Sequence, residues 1–242
     1  MTTSVGDYIK LKKIAILQSN YLPWKGVFDI IHQVDNFVFL EDVQYTVRDW
    51  RNRNKIYTKD GLKWVTVPVK KGPRAQLINE VEISYEKKWR RKHFNVFQLN
   101  YRSAPYYEKY KWLLEDIYFK YTWESLSEFN IFTTKLISKT LGIKTKFINS
   151  ASLNIKGSKD DKLIEICKEL KGDYYLSGPA AKDYITPQKF KDEKIVLDYI
   201  DYEYPEYNQL HKPFTHFVTI LDLIFNCGDN SPYYIWGWRE DL

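Results

Sequence analysis

Short apolar runs alternate with amphipathic segments toward both ends of the chain. Buried strands are expected over residues 14–17, 36–40, 147–151, 174–177 and 195–199. Helical spacing of apolar positions predicts helices over residues 26–33 and 158–170, each between two of these strands. Strands that alternate with helices form parallel sheets, so this pattern indicates an α/β protein.

The middle of the chain has a different pattern. Asp60 and Gly61 separate two β-prone runs, which is a strong signal for a hairpin. A further short strand is expected at residues 78–83, a short turn or helix at 184–190 and a closing helix at 214–225. Helices with few Gly or Pro are expected over residues 87–101, 105–119 and 122–141.

We therefore expect a single α/β domain over residues 1–242. Its sheet is mainly parallel and Rossmann-like, with an inserted β-hairpin and a helical layer at about 85–141.

The composition and charge indicate which ligand, cellular location and metal content to expect. The formal net charge of +6 favours an anionic ligand. No run of about 18 apolar residues is present, so no membrane span is expected. No signal-peptide pattern follows the polar start, so a cytoplasmic location is expected. Cys167 and Cys227 lie far apart and the histidines do not cluster with them, so no metal site is expected.

The loop after the first strand is rich in side chains that stack or form hydrogen bonds. In a parallel sheet, the carboxyl end of a strand is where ligands bind. The predicted substrate-binding residues of this loop are Gln18, Asn20, Tyr21 and Trp24. The alternative is that the two aromatic side chains close the sheet edge.

A dense polar cluster follows the second strand, which ends near Asp42. Arginine binds phosphate or carboxylate oxygens through paired donors, and asparagine can bind a hydroxyl group or a base edge. Substrate contacts are expected from Gln44, Trp50, Arg51, Asn52, Arg53 and Lys55, with Asp42 paired to one of the arginines. The alternative is a solvated basic loop.

Two further segments have both a functional and a structural interpretation. Ser177 and Gly178 end the fourth predicted strand of the sheet, and Lys182 follows, so this turn is a candidate phosphate site or a plain turn. The basic run at residues 87–92 opens a predicted helix and is either a polyanion patch or a solvated helix turn.

Asp42, His211 and Asp222 are the best acid–base candidates by residue type. Nothing in their spacing brings them together. The sequence has no Gly-x-Ser-x-Gly, paired-histidine or GxGxxG motif, which argues against common hydrolases, zinc enzymes and Rossmann dehydrogenases.

These motifs, in order along most of the chain, resemble the WbqC-like protein family. The resemblance rests on residues 18–26, 42–55, 62–69, 177–184 and 220–228. It implies a role in bacterial O-antigen or other surface-polysaccharide pathways. A more distant likeness is to nucleotidylyltransferases and pantothenate synthetase, in which His-x-Gly-His stands where this chain has Trp24, Lys25, Gly26 and Val27. That difference argues against adenylyl or cytidylyl transfer.

The leading hypothesis is a transferase that adds an acyl or aminoacyl group to a nucleotide-linked amino sugar. A second hypothesis is a non-catalytic protein that binds a nucleotide sugar, another phosphate-bearing small molecule or a glycan. Nucleic-acid binding is the weakest, because the basic residues do not form one long stripe. The sequence identifies no cofactor, and an activated acyl donor or ATP are the candidate co-substrates. It does not indicate an oligomeric state.

Overall fold

A computed structural model describes residues 11–85, 88–157 and 159–241. The strands are β1 (Lys13–Leu17), β2 (Asn36–Phe39), β3 (Arg53–Thr58), β4 (Gly61–Thr66), β5 (Lys146–Asn149), β6 (Tyr174–Ser177) and β7 (Val196–Tyr199). The α-helices are α1 (Lys25–His32), α2 (Trp89–Tyr101), α3 (Tyr107–Tyr110), α4 (Trp112–Glu115), α5 (Leu126–Thr140), α6 (Lys159–Glu169), α7 (Pro187–Asp192) and α8 (Ile220–Cys227). Within the described ranges, no helix has the length and apolar character needed to cross a bilayer.

Five strands form one parallel sheet in the order β5–β2–β1–β6–β7. Ile14 of β1 is in register with Asn36 of β2 on one side and with Tyr175 of β6 on the other. The chain builds outward from β1 through β2 to β5, and then adds β6 and β7 on the opposite side of β1. The strand order therefore reverses between β1 and β6, which is where open α/β sheets bind ligands. The expected α/β, Rossmann-like fold is confirmed.

Alternate residues of β1 enter two cores, one on each face of the sheet. Ile14 and Ile16 pack in the core that contains residues of α6 and α7. Ala15 packs in the larger core, with residues of α1, α8 and the helical layer. Because both faces are covered by helices, the central strands β1 and β2 are buried over most of their length, and this explains why they read as short apolar runs.

The β3–β4 hairpin is inserted after the second strand of the sheet. Its turn places Gly61 at φ +94°, a conformation that glycine adopts without a steric penalty. The predicted hairpin is confirmed, but its first strand starts earlier than expected, at Arg53. The side chains of Asn52 and Asn54 are buried, whereas those of Arg53 and Lys55 are only partly buried, as strand alternation requires.

The helical layer consists of α2 to α5. The expected helix at residues 105–119 is divided into α3, α4 and a π-helical turn, Asp116–Lys120. Helix α5 begins at Leu126, later than expected, because the Ser125 side chain accepts a hydrogen bond from the Glu128 amide at 3.3 Å and caps the helix. Lys87 and Ser158, which the sequence places at helix starts, lie outside the described residues.

Three sequence-based predictions of local structure are corrected. Within residues 78–83, Ile78–Glu80 form a 3-10 turn, at whose start the Glu80 carboxylate accepts a hydrogen bond from the Leu77 amide at 2.9 Å. Glu82 and Ile83 form only isolated β-bridges. Helix α7 starts at Pro187, a residue suited to the first helical turn. Helix α8 starts at Ile220, after the capping side chain of Thr219, and the residues before it form an irregular segment.

A buried histidine joins the helical layer to the β1 loop. His93 is 5% exposed, and its Nδ1 atom lies 2.9 Å from the Tyr21 hydroxyl. Burial lowers the pKa of His93 from its ordinary 6.5 to about 4, and the charge of Lys92 acts in the same direction. The folded state thus prefers the neutral ring, so the stabilisation is complete above pH 6.5 and is lost as the pH falls toward 4.

We expect the protonation of His93 to lower the free energy of unfolding by on the order of 3 kcal/mol as the pH falls from about 7 to about 4. Urea denaturation across this range should show a smaller loss for His93→Gln than for the wild type. The control Asn95→Gln, an exposed position on the same helix, should keep the wild-type pH dependence. Equal pH dependence in wild type and His93→Gln would contradict this account.

Candidate functional site

A crevice of about 470 Å³ opens at the carboxyl ends of β1, β2 and β6. We call it the switch-point crevice, because it lies where the strand order reverses. Its polar lining comes from the β1 loop, the segment before β3, the start of α6 and the segment after β6. The polar and aromatic lining residues are Gln18, Asn20, Arg51, Lys159, Lys162, Tyr175 and Tyr184.

Arg51 is a largely enclosed cation of the crevice lining, and side chains from two loops contact it. Its side chain is 12% exposed; it donates from Nη1 to Oε1 of Gln18, and its Nη2 lies 3.5 Å from Oδ2 of Asp49. Burial lowers the pKa of Arg51, while the charges of Asp49 and Glu41 act in the opposite direction. Its Nε atom has no hydrogen-bond partner among the described residues. The guanidinium is therefore held in place before any ligand arrives.

Glu41 supports the same loop from beneath. It is fully buried, and its two carboxylate oxygens accept hydrogen bonds from the backbone and the hydroxyl of Ser19, at 2.8 and 2.9 Å. Burial raises its pKa, against the hydrogen bonds from Ser127 and Ser19 and the charge of Arg51. Because Glu41 is enclosed, its role is to position the loop.

Asp42 pairs with Lys162, and not with an arginine as expected from the sequence. The Lys162 ammonium lies 2.6 Å from Oδ2 of Asp42, and the Ser150 hydroxyl donates to Oδ1. Partial burial acts to raise the pKa of Asp42, but the hydrogen bonds from Lys162 and Ser150 outweigh it and hold the pKa below its ordinary value. The Asp42 side chain is 20% exposed. Asp42 is not itself a lining residue of the crevice, but its neighbour Val43 and its partner Lys162 are, so the carboxylate lies beside the crevice edge.

The predicted basic cluster after β2 does not form one site. Arg51 faces the crevice, whereas the Arg53 guanidinium and the Lys55 ammonium lie 4.2 and 4.9 Å from the ring centre of Trp64 on the hairpin. Trp50 packs against the same ring, at 5.2 Å between centroids. Arg51 lies in the turn before β3, whereas Arg53 and Lys55, two positions apart, lie on one face of β3. The cluster is therefore divided between two surfaces where the turn meets the strand.

The side chains of the two asparagines of this cluster form hydrogen bonds with backbone carbonyl groups and are not available to a ligand. Asn52 Nδ2 donates to the Val67 carbonyl at 3.0 Å, and Asn54 Nδ2 donates to the Leu22 carbonyl at 2.7 Å. Both side chains are more than nine-tenths buried. Asn52 thus joins the two arms of the hairpin at its open end, and Asn54 fixes the hairpin to the β1 loop. Neither side chain lines the crevice.

The β1 loop divides in the same way. Gln18 and Asn20 line the crevice. Tyr21 is fully buried, and its hydroxyl lies 2.5 Å from that of Tyr118 in the helical layer. Trp24 meets the Tyr202 ring edge-on at 4.8 Å, at the start of α1. Tyr21 and Trp24 therefore support the loop, while the side chains of Gln18 and Asn20 face the crevice.

The other acid–base candidates lie apart from Asp42. Asp222 is 1% exposed and accepts hydrogen bonds from the hydroxyls of Tyr207 and Tyr101, at 2.7 and 2.9 Å. Burial raises its pKa, although these bonds act to lower it. The His211 ring packs 5.5 Å from that of Tyr57. Neither residue lines the crevice.

Four further predicted binding residues also lie outside the crevice lining. Ser177 is buried at the end of β6, and Gly178 begins a 3-10 turn, Pro179–Asp183. The Lys182 ammonium lies 5.2 Å from the Tyr199 ring, and Gln44 donates to the Arg74 carbonyl at 2.8 Å. The segment after β6 reaches the crevice through Tyr184 instead.

Sequence reasoning missed the contribution of α6. Lys159 and Lys162 lie three positions apart in its first turn and both line the crevice. A pair of lysines at helical spacing just inside a predicted helix was the available signal, although most such pairs are solvated. The structure adds Tyr175 on β6 to this wall.

The arrangement suits an anion next to an aromatic group. Three cations and the start of α6 surround the crevice, and a helix start favours negative charge. Asn20 Oδ1 is buried without a hydrogen-bond partner among the described residues. Within those residues no three His, Cys, Asp or Glu side chains form a group that could hold a metal ion.

Comparisons with known proteins identify the sequence family of the chain. The WbqC-like protein family matches residues 18–234, which include the β1 loop, the hairpin and α8. The chain is 39% identical over 232 residues to "Uncharacterized protein Rv1507c" of Mycobacterium tuberculosis (strain ATCC 25618 / H37Rv), covering 95% of this chain and 100% of that protein. No solved structure matches the chain. The chain belongs to the WbqC-like protein family.

Proposed function

We propose that the switch-point crevice binds a nucleotide-linked amino sugar and that the protein transfers an acyl or aminoacyl group to it. The observation that carries this proposal is the pre-positioned Arg51 guanidinium at the point where the strand order reverses. The proposed pathway, bacterial surface-polysaccharide or O-antigen biosynthesis, rests on membership of the family.

The ligand class follows from charge and size. Arg51 and Lys159 supply cations for a diphosphate, and guanidinium groups bind phosphate oxygens through paired donors. Tyr175 and Tyr184 supply rings for the base or the sugar. A crevice of about 470 Å³ lies within the range of small-molecule sites.

Asp42 is the proposed general base. The amine nitrogen of the sugar attacks the carbonyl carbon of an activated acyl donor, and a carbon–nitrogen bond forms. The bond between that carbon and the leaving group breaks, and the leaving group keeps the electron pair. The proton lost by the amine passes to the Asp42 carboxylate, which its low pKa keeps ionised. An acyl thioester or acyl phosphate, the latter made with ATP, would supply the donor.

The first test concerns binding. Thermal-shift measurements with thymidine-, uridine-, guanosine- and cytidine-diphosphate sugars should raise the Tm for at least one of them. Binding to the native state alone stabilises it by about 2.7 kcal/mol at a hundredfold excess over Kd. Lys159→Gln should weaken the affinity about tenfold, because an exposed cation of the site is lost. Lys156→Gln, an exposed lysine outside the lining, should not.

Arg51→Lys should also weaken binding, because lysine cannot reproduce the paired donors. It should lower the Tm as well, since Gln18 and Asp49 lose their partner. If none of the nucleotide sugars raises the Tm, the proposed ligand class is rejected.

The second test separates an enzyme from a binding protein. Asp42→Asn keeps one oxygen that can accept from Lys162, and its amide N–H can donate to the Ser150 hydroxyl oxygen, so nucleotide-sugar affinity should change by less than about threefold. Acyl transfer to the sugar amine, followed by mass spectrometry, should fall by about 10²–10⁴-fold. Unchanged transfer in Asp42→Asn would exclude Asp42 as the base. Binding without transfer from any donor would favour the non-catalytic alternative.

A further inference from the structure

A second concave site lies between the hairpin and the helical layer. This hairpin groove, of about 650 Å³, has β4 on one side and the first turns of α2 on the other. Trp64 and Thr66 line the hairpin side, and Trp89 and Lys92 line the helix side. The groove has no lining residue in common with the switch-point crevice, so it is a separate site.

Two tryptophans line the hairpin groove. Trp64 is 44% exposed, although it has aromatic and cationic neighbours on the hairpin. Trp89 is 4% exposed, and its indole Nε1 has no hydrogen-bond partner among the described residues. Indole rings combine a large apolar surface with one N–H donor, which suits a ligand with apolar C–H faces and hydroxyl groups.

Positive charge surrounds these tryptophans. Lys88 and Lys92 line the helix side of the groove. Arg53 and Lys55 lie over the Trp64 ring on the hairpin side. In the part of the chain that the structure describes, none of these four cations forms an ion pair with a carboxylate. Charge complementarity therefore favours an acidic ligand.

We propose that the hairpin groove binds an acidic oligosaccharide, with a sugar ring against the exposed Trp64, the buried Trp89 at the base of the groove, and acid groups at the surrounding lysines and arginine. Single-stranded nucleic acid also combines rings with charge, but it needs a channel that follows several nucleotides. The groove is one compartment of about 650 Å³, the size of a site for one compact ligand. An oligosaccharide of a few units fits that dimension better.

The two sites meet at one backbone segment. Trp50 packs against Trp64 beside the hairpin groove, and the next residue, Arg51, lines the switch-point crevice. The assignment of the groove does not depend on the reaction proposed for the crevice, because it rests on a different set of side chains.

The test uses isothermal titration calorimetry with trigalacturonate as the acidic probe and maltotriose as the neutral one. We expect trigalacturonate to bind and maltotriose to bind at least tenfold more weakly. Trp64→Ala and the double variant Lys88→Gln/Lys92→Gln should each weaken trigalacturonate binding about tenfold, or about 1.4 kcal/mol. Trp112→Ala, which removes a similarly exposed indole elsewhere, and Lys139→Gln/Lys144→Gln should leave it unchanged.

The same variants separate this proposal from that for the crevice. Trp64→Ala should keep nucleotide-sugar binding within about twofold of wild type and should keep the Tm, since the side chain is exposed. No binding of trigalacturonate, or equal binding by wild type and Trp64→Ala, would overturn the proposal. Tighter binding of a hexathymidylate than of trigalacturonate, lost in Trp64→Ala, would overturn it in favour of nucleic acid.

Discussion

The contact between the β1 loop and the start of the hairpin determines both candidate sites. The backbone N–H of Tyr21 donates to the Trp50 carbonyl at 3.0 Å, and the side-chain Nδ2 of the buried Asn54 donates to the Leu22 carbonyl at 2.7 Å. Leu22 has a positive φ of 44°, so its backbone depends on such external bonds. Without them, the loop that carries Gln18 would lose its position relative to Arg51.

A buried polar layer beneath the loop reinforces this contact. The Glu41 carboxylate accepts a hydrogen bond from the Ser19 backbone N–H, and Asn130 Nδ2 donates to the Arg51 carbonyl at 2.8 Å. Unpaired polar groups at this depth are costly, so each of these partners restricts where the loop can lie. The rigidity of the crevice therefore comes from groups that no ligand could touch, while Lys159 and Tyr184 complete the exposed wall.

The fold could be predicted from the sequence because its signals are local. Buried parallel strands appear as short apolar runs, and Asp60-Gly61 marks the hairpin turn. The site could be predicted only in part. The sequence led to Gln18, Asn20 and Arg51, which line the crevice, because they follow strand ends. It could not show that Tyr21 is buried, because its partners Tyr118 and His93 come from a distant part of the chain.

The acid–base candidates show the same limit. Asp42 follows a strand end, so its position at the rim was readable from the sequence, but its partner Lys162 depends on how α6 packs. The Asp222 carboxylate accepts hydrogen bonds from two tyrosine hydroxyls, and no local sequence pattern predicts those contacts.

The alternation of side chains between Asn52 and Lys55 restricts how this segment can vary. Inserting or deleting one residue just before β3 would reverse the facing of the side chains beyond the change. Arg53 would turn inward and Asn54 outward, and the loop would lose its bond from Asn54. Substitutions here affect one surface at a time, whereas a length change affects the crevice, the hairpin and the β1 loop together. Relatives should therefore tolerate differences in residue type here far better than differences in length.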